Sequence, residues 1–171
     1  MLIRTEAPAD ILTIDALLRQ TFPTSAEAKL VRSLRENSRF TLSLVACSDD
    51  GEVIGHVLFT PVTLNGDDFG WQGLAPIAVK EEYRGQGISE ALIKYGLESL
   101  YEFGYSACFV LGAPNYYSRF GFKDGESMGF LSIYNSMDIY QAGAFQALAL
   151  ADDAFDGKAG LIEYSPEFNV N

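Results

Sequence analysis

The stretch from Leu74 to Ser89 constrains the fold more than any other part of the chain. Leu74-Ala75-Pro76-Ile77-Ala78-Val79 is a short apolar run, the pattern of a buried strand. A charged turn and two glycines follow. From Ile88 apolar residues return at helical spacing through Ala91, Leu92, Tyr95, Leu100 and Phe103, and Gly104 stands where a helix C-cap belongs. A strand that feeds through glycines into a helix turns unpaired N–H groups and the positive end of the helix dipole to one side. That arrangement binds phosphate. Gly85 and Gly87 lack Cβ, so an anion can approach the main chain closely. Arg84 adds a cation able to grip phosphate in bidentate fashion.

Two familiar phosphate motifs do not fit this loop. The Walker pattern ends Gly-Lys-Ser/Thr, which occurs nowhere in the chain. The dinucleotide fingerprint needs a third glycine, and Glu90 occupies its place. A third pattern, Arg/Gln-x-x-Gly-x-Gly/Ala after a strand ending in valine, fits Arg84-Gly85-Gln86-Gly87-Ile88-Ser89, with Ser89 in place of the final small residue. In this the chain resembles the GNAT superfamily of acetyl-CoA-dependent N-acyltransferases. Pro76 points the same way, because a proline inside a strand removes a ladder donor and marks an edge or bulge. The resemblance implies a strand there that splays from its neighbour and leaves backbone groups free for the pantetheine arm.

Composition removes several other classes. At 171 residues and 48% hydrophobic content, the chain is expected to form a single domain over residues 1–171 with a substantial core. It has no apolar run of about 18 residues that would span a bilayer, and Met1 to Glu6 lacks the apolar stretch of a signal peptide. A net charge of −11 argues against a nucleic-acid surface, which needs a basic footprint. The same charge can attract a cationic amine, although it also serves plain solubility. Cys47 and Cys108 form no spaced cluster, so neither a metal site nor a disulfide framework is expected, and a cytoplasmic location fits. His56, the only histidine, excludes a two-histidine metal site and reads as a core or pocket-wall residue.

Along the chain, a strand at Leu2–Arg4 precedes a helix started by Pro8 and Asp10. Thr24-Ser25-Ala26-Glu27 has capping-box spacing ahead of a second helix that runs to about Glu36. Thr41–Cys47 and Val53–Leu64 read as strands joined at Ser48-Asp49-Asp50-Gly51, and a further strand through Trp71 ends at Val79. After the loop and its helix come a strand at Ala107–Leu111 and a brief helix, capped by Asn115 and stopped by Gly121. Lys123 to Tyr140 has no clear period and carries Phe130, Tyr134 and Tyr140, the composition of a loop that shapes an acceptor pocket. Ala144–Leu150 and Gly160–Tyr164 are expected to pair as a terminal hairpin.

This order is similar to that of the GNAT superfamily over nearly the whole chain. A bacterial subgroup is closest, sharing Gly55-His56-Val57-Leu58-Phe59, Leu74 to Val79, and Phe120-Gly121-Phe122. The resemblance implies an α+β fold, a mixed, mostly antiparallel sheet flanked by helices, with a splayed strand pair at the CoA site. It implies transfer of an acetyl group from acetyl-CoA to an amine of a small molecule or peptide, by direct attack in a ternary complex. The alternative is a non-catalytic acyl-CoA-binding sensor or regulatory module. Arg84, Gly85, Gln86, Gly87, Ile88 and Ser89 would hold the pyrophosphate, Ile77, Ala78 and Val79 the pantetheine arm, and Asn115 and Tyr117 would reach the same cosubstrate. For catalysis the resemblance implies the Val79 backbone N–H facing the thioester oxygen and Tyr117 as acid to the leaving thiolate. Glu27 is the candidate base. No metal and no nucleic acid enter the scheme, and the chain is expected to act as a monomer or homodimer.

Overall fold

The first helix starts where a buried carboxylate gathers donors. Asp10 accepts two hydrogen bonds from the Arg4 guanidinium, at 2.6 and 3.2 Å, and one from the Ala7 N–H at 2.7 Å. The hydrogen bonds from Arg4 hold the Asp10 carboxyl below its ordinary range, more than offsetting its burial. Strand β1 (Leu2–Thr5) is thereby tied to helix α1 (Ile11–Thr21). These elements belong to a computed structural model that describes residues 1–136 and 140–169. Contacts group the chain into two units, one of Met1–Thr60, Ala75–Gly96 and Pro166–Asn171, the other of Pro61–Leu74 and Leu97–Ser165.

In the first unit, helix α2 (Ala26–Glu36) follows α1, and strands β2 (Leu42–Cys47) and β3 (Val53–Leu64) pair antiparallel, with β1 outside β2. Ile14, Leu17 and Leu18 of α1 and Ala28, Val31 and Leu34 of α2 are buried against Val45, Leu58 and Ala78. Those spacings of three and four residues are the inward stripe of an amphipathic helix. On β3, Gly55 lets helix α3 (Ile88–Glu102) come close, since a Cβ there would lie 3.1 Å from both Ile88 and Leu92. Gly96 does the same from the helix side, where a Cβ would sit 2.4 Å from the Phe59 ring. Two absent side chains thus fix the depth at which the start of α3 packs on β3.

A polar chain also runs through this unit. Arg35 and Ser43 both donate to the Glu6 carboxylate, and His56 Nε2 lies 2.9 Å from Ser43 Oγ. The serine proton is committed to the carboxylate, so the ring nitrogen is the donor in the last contact. His56 is fully buried, and its Nδ1 has no hydrogen-bond partner among the described residues. Burial, together with the positive charge of Arg35, pushes the His56 pKa down to about 3. The ring is therefore neutral in the fold across the working pH range.

This gives a stability prediction whose direction is fixed. Above the ordinary histidine value near pH 6.5 both folded and unfolded states hold the ring neutral. As pH falls below it, the unfolded chain takes a proton that the folded chain refuses, and stability drains until about pH 3. The loss from this residue is expected to be about 3 kcal/mol between pH 7 and pH 4. Because His56 is the sole histidine, urea unfolding of wild type and His56→Gln over that range isolates it. The variant should show the shallower slope, and equal slopes would refute a buried neutral ring.

In the second unit, strand β4 (Gln72–Val79) pairs parallel with β5 (Ala107–Leu111) over three positions, Gln72↔Cys108 to Leu74↔Val110. The ladder ends two residues before Pro76, which has no N–H to donate. β5 pairs antiparallel with β8 (Phe145–Ala149), and β8 with the two-residue strand β6 (Lys123–Asp124). Strand β9 (Gly160–Tyr164) pairs antiparallel with Val62–Leu64 of β3 and parallel with β7 (Phe130–Leu131). The expected terminal hairpin between 144–150 and 160–164 therefore does not form. The intervening stretch is too long for a tight turn, and Phe155 within it packs into the core 4.8 Å from Phe130. Trp71, Phe109, Phe130 and Phe145 form the centre of that core, and Trp71 Nε1 donates to Ser106 Oγ at 3.2 Å.

Candidate functional site

The loop between β4 and α3 has the local geometry its sequence demands. A 3₁₀ turn at Glu81–Tyr83 leads into Arg84, and Gly85 and Gly87 have φ of +79° and +78°, in the left-handed region that glycine alone enters freely. A Cβ added at either glycine would meet nothing within 4 Å. The glycines are thus required by the backbone path and leave open space beside it, a cradle that a side chain would fill. Residues 84–87 are exposed, and α3 begins at Ile88, so the positive end of its dipole lies at this loop. The Ile88 side chain itself is buried, leaving only its backbone to serve a ligand. Ser89 is half-buried and Gln86 exposed.

Arg84 reaches back along β4, its Nε donating to the Val79 carbonyl at 3.2 Å. The Lys80 N–H donates to the Ile54 carbonyl of β3 at 2.8 Å. Backbone polar groups of successive strand residues point to alternate sides, so the N–H and C=O of Val79 face away from β3. A backbone N–H at Val79 directed away from the ladder is what the oxyanion role requires. Ala78 is buried in the core with its side chain committed to packing, and Ile77 is half-buried. Lys80, the other cation beside the loop, is engaged by Glu52 and lies 3.7 Å from Glu82. Sequence reading missed this clasp, because it joins residues 28 apart with no local signal.

Glu27 lies in the first turn of α2. The expected capping box is not realised: the helix N-cap is Ser25, its hydroxyl caps nothing, and Thr24 Oγ1 accepts the Ala26 N–H at 3.3 Å instead. Ser25 sits near ψ 5°, outside the extended region in which an N-cap side chain reaches its partner. Capping therefore does not account for Glu27, whose Oε1 is buried without a hydrogen-bond partner among the described residues.

Tyr117 and Asn115 belong to the second unit, on the short helix α4 (Pro114–Tyr117). Asn115 is not its cap. Ala113 holds that position, Pro114 opens the helix with its fixed φ, and Asn115 is an exposed second residue. Gly121, at φ +96°, ends the following 3₁₀ turn as expected. Tyr117 is only 8% exposed. Its ring lies over Gly112, where a Cβ would come within 2.5 Å, and meets Phe122 edge-on at 5.8 Å. Burial, with Tyr116 and Cys108 nearby, pushes the Tyr117 pKa up to about 12, so the phenol keeps its proton at neutral pH. Tyr116 is perpendicular to it at 5.1 Å and carries the Arg119 guanidinium over its ring, so the two tyrosines face different surroundings. Sequence reading also left undefined a pocket of about 270 Å³ in the second unit, lined by Leu111, Glu126, Tyr134 and Tyr140 among others. Among the described residues no group of His, Cys, Asp and Glu side chains has the geometry of a metal site, and no helix is long and apolar enough to cross a membrane.

A strand with a short parallel partner, a glycine loop at a helix start and a buried tyrosine after the next strand together define a class. Residues 3–124 match the model of the acetyltransferase (GNAT) domain, and the chain belongs to the GNAT family of acetyltransferases. It is 51% identical over 172 residues to the uncharacterized N-acetyltransferase YhbS of Escherichia coli K12, covering 99% of both chains. The crystal structure of E. coli YhbS in complex with CoA superposes with a TM-score of 0.93 at 50% identity, over 99% of this chain and 92% of that one. A GNAT family acetyltransferase from Brucella melitensis in complex with acetyl-CoA gives 0.79 at 34% identity, over 98% and 97%. The mixed, mostly antiparallel open sheet with its helices is the GNAT fold.

Proposed function

We propose that residues 1–171 act as one acetyltransferase domain that moves an acetyl group from acetyl-CoA to a primary amine, by direct attack with both substrates bound. The observation that carries the reading is the loop at 84–87, with two left-handed glycines opening onto free space beside an exposed arginine at the start of α3. Relatives that bind CoA and acetyl-CoA, at 50% and 34% identity, support the same cosubstrate. In this reading Arg84 and the N–H groups from Gly85 to Ser89 take the pyrophosphate, Ile77 to Val79 offer backbone to the pantetheine arm, and Asn115 contributes a polar contact.

The chemistry then divides among three groups. A neutral amine nitrogen attacks the thioester carbon, and the carbonyl oxygen that gains charge is met by the Val79 N–H. The C–S bond breaks as the amide C–N bond forms. The Tyr117 hydroxyl donates a hydrogen bond to the sulfur as it gains charge, the released thiolate takes its proton from solvent, and the amine gives up a proton to Glu27, whose unpartnered Oε1 has acceptor capacity to spare. The products are the N-acetyl amine and CoA thiol. The test is thiol release from acetyl-CoA over a panel of primary amines and peptides, with the acetylated product identified by mass. At least one amine is expected to raise release well above the rate without acceptor. Tight CoA binding with no amine acetylated would instead favour an acyl-CoA sensor.

A further inference from the structure

The pocket in the second unit has a lopsided chemistry. Among the described residues its walls carry one carboxylate, Glu126, with the two phenols Tyr134 and Tyr140 and the amides of Asn135 and Gln141. None of these described residues is a lysine, arginine or histidine. The two phenol rings stand 5.8 Å apart and close to perpendicular, at 79°, forming a corner of two π walls. A carboxylate beside aromatic rings favours a cation, which gains from the negative charge and from the quadrupole of each ring face. At about 270 Å³ the space takes a chain of several heavy atoms with its charged end.

The walls are built rather than incidental. Glu126 opens a 3₁₀ turn that starts after Gly125 and ends at Gly129, φ +92°. Gly125 donates to the Phe145 carbonyl at 2.9 Å and lies under the Phe145 ring, where a Cβ would come within 2.8 Å. That close approach clamps the Glu126 turn onto β8. Asn135 Oδ1 accepts the Ser132 N–H at 2.5 Å, and the Tyr134 N–H is held by Ser132 Oγ at 3.2 Å. Burial and the neighbouring Tyr140 push the Tyr134 pKa upward, so its ring stays a neutral phenol.

We infer that this pocket binds a primary ammonium group of the acceptor, the one that does not react. The inference rests on the acetyl-transfer reading above. A nucleophilic amine must be neutral, whereas a carboxylate at close range holds an amine protonated. An ammonium paired with the exposed Glu126 carboxylate is therefore protected from acetylation while it positions the rest of the molecule. The acceptor class that follows is a small diamine or polyamine, with one amine neutral at the thioester and another charged in the pocket. A protein with net charge −11 also draws such cations towards itself.

The test is calorimetric titration of 1,4-diaminobutane into the CoA-loaded full-length protein at pH 7.5, with 1,4-butanediol as the uncharged isostere. The diamine is expected to bind at least about 10-fold more tightly than the diol. Glu126→Gln should remove most of that preference, and Tyr134→Leu should weaken diamine binding about 3- to 10-fold. CoA affinity should stay at the wild-type value in both variants, which shows that they fold. Equal affinity for diamine and diol, or undiminished diamine affinity in Glu126→Gln, would overturn the assignment. Because binding is read without turnover, a protein that binds the diamine in this way and acetylates no amine would sink the catalytic reading alone.

Discussion

Tyr117→Phe is expected to lower kcat by about 10²–10³-fold while leaving CoA affinity and thermal stability near wild type. The substitution removes one oxygen. The ring keeps its edge-on contact with Phe122 and its place over Gly112, so packing has no reason to change. The size of the effect follows from what a phenol with a pKa of about 12 can do. Full proton release to a thiolate of ordinary pKa, near 8.5, runs uphill by about 5 kcal/mol. The hydroxyl therefore works mainly as a hydrogen-bond donor that strengthens as sulfur gains charge. Donors aimed at a developing anion are worth about 10²–10³ in kcat. The loss should fall on kcat rather than KM, since the uncharged thioester sulfur gains little from the contact. Tyr116→Phe is the control and should change rates less than about 3-fold. If Tyr117→Phe keeps full activity with the best acceptor, the residue has no part in the chemistry.

Gly87→Val is expected to weaken CoA binding by about 100-fold or more while the protein stays folded. Two effects can be separated because the structure gives each its place. The backbone at φ +78° is strained for a branched residue, at about 1–2 kcal/mol. For a chain of this length that lowers Tm by roughly 2–8 °C. No steric clash adds to it, since the space beside Gly87 is open. What the side chain does fill is the approach of an anion to the N–H groups at the start of α3. Each charge-assisted hydrogen bond lost there costs about 1.5–3 kcal/mol, and two of them account for the 100-fold. Isothermal titration with CoA against a melting curve reads both effects. A folded Gly87→Val protein with wild-type CoA affinity would remove the loop from the binding site.

The parts legible in the sequence are those where local pattern and tertiary use agree. The run from Leu74 to Gly104 could be read almost residue by residue, because strand, glycine loop and amphipathic helix each carry their own period. β3 and β5 fell at their expected bounds for the same reason. The failures have specific causes. Strands β6 and β7 have two residues each, too few for any alternation to show. Part of the aperiodic stretch from Lys123 to Tyr140, residues 137–139, lies outside the described residues. The terminal hairpin was misread because a strand's partner is chosen by core packing, here Ile162 beside the aromatic cluster, and sequence neighbours carry no record of it. Asn115 was misread as a cap and Thr24 as the start of a capping box by residue type alone, when Pro114 and the backbone at Ser25 decide the matter.

At the site, the loop residues and Tyr117 were visible as motif spacing, whereas the polar line from Arg35 to His56 was not. It joins α2, the residue after β1, β2 and β3, and no window of sequence contains it. The same holds for the Glu126 pocket, whose described walls come from four separate stretches, at Leu111, at Glu126, at Tyr134 and Asn135, and from Tyr140 to Phe145.

Neither compact unit is a continuous length of chain. The polypeptide passes between them after Thr60, Leu74 and Gly96, inside β3, β4 and α3, and again after Ser165, just past β9. A recombination event that joined the front of one gene to the back of another would cut both cores at once and leave mismatched side chains in each. Inheritance of this architecture is therefore all or none. New acceptor preferences in such a lineage have to be written by substitution within loops, because whole halves cannot be traded.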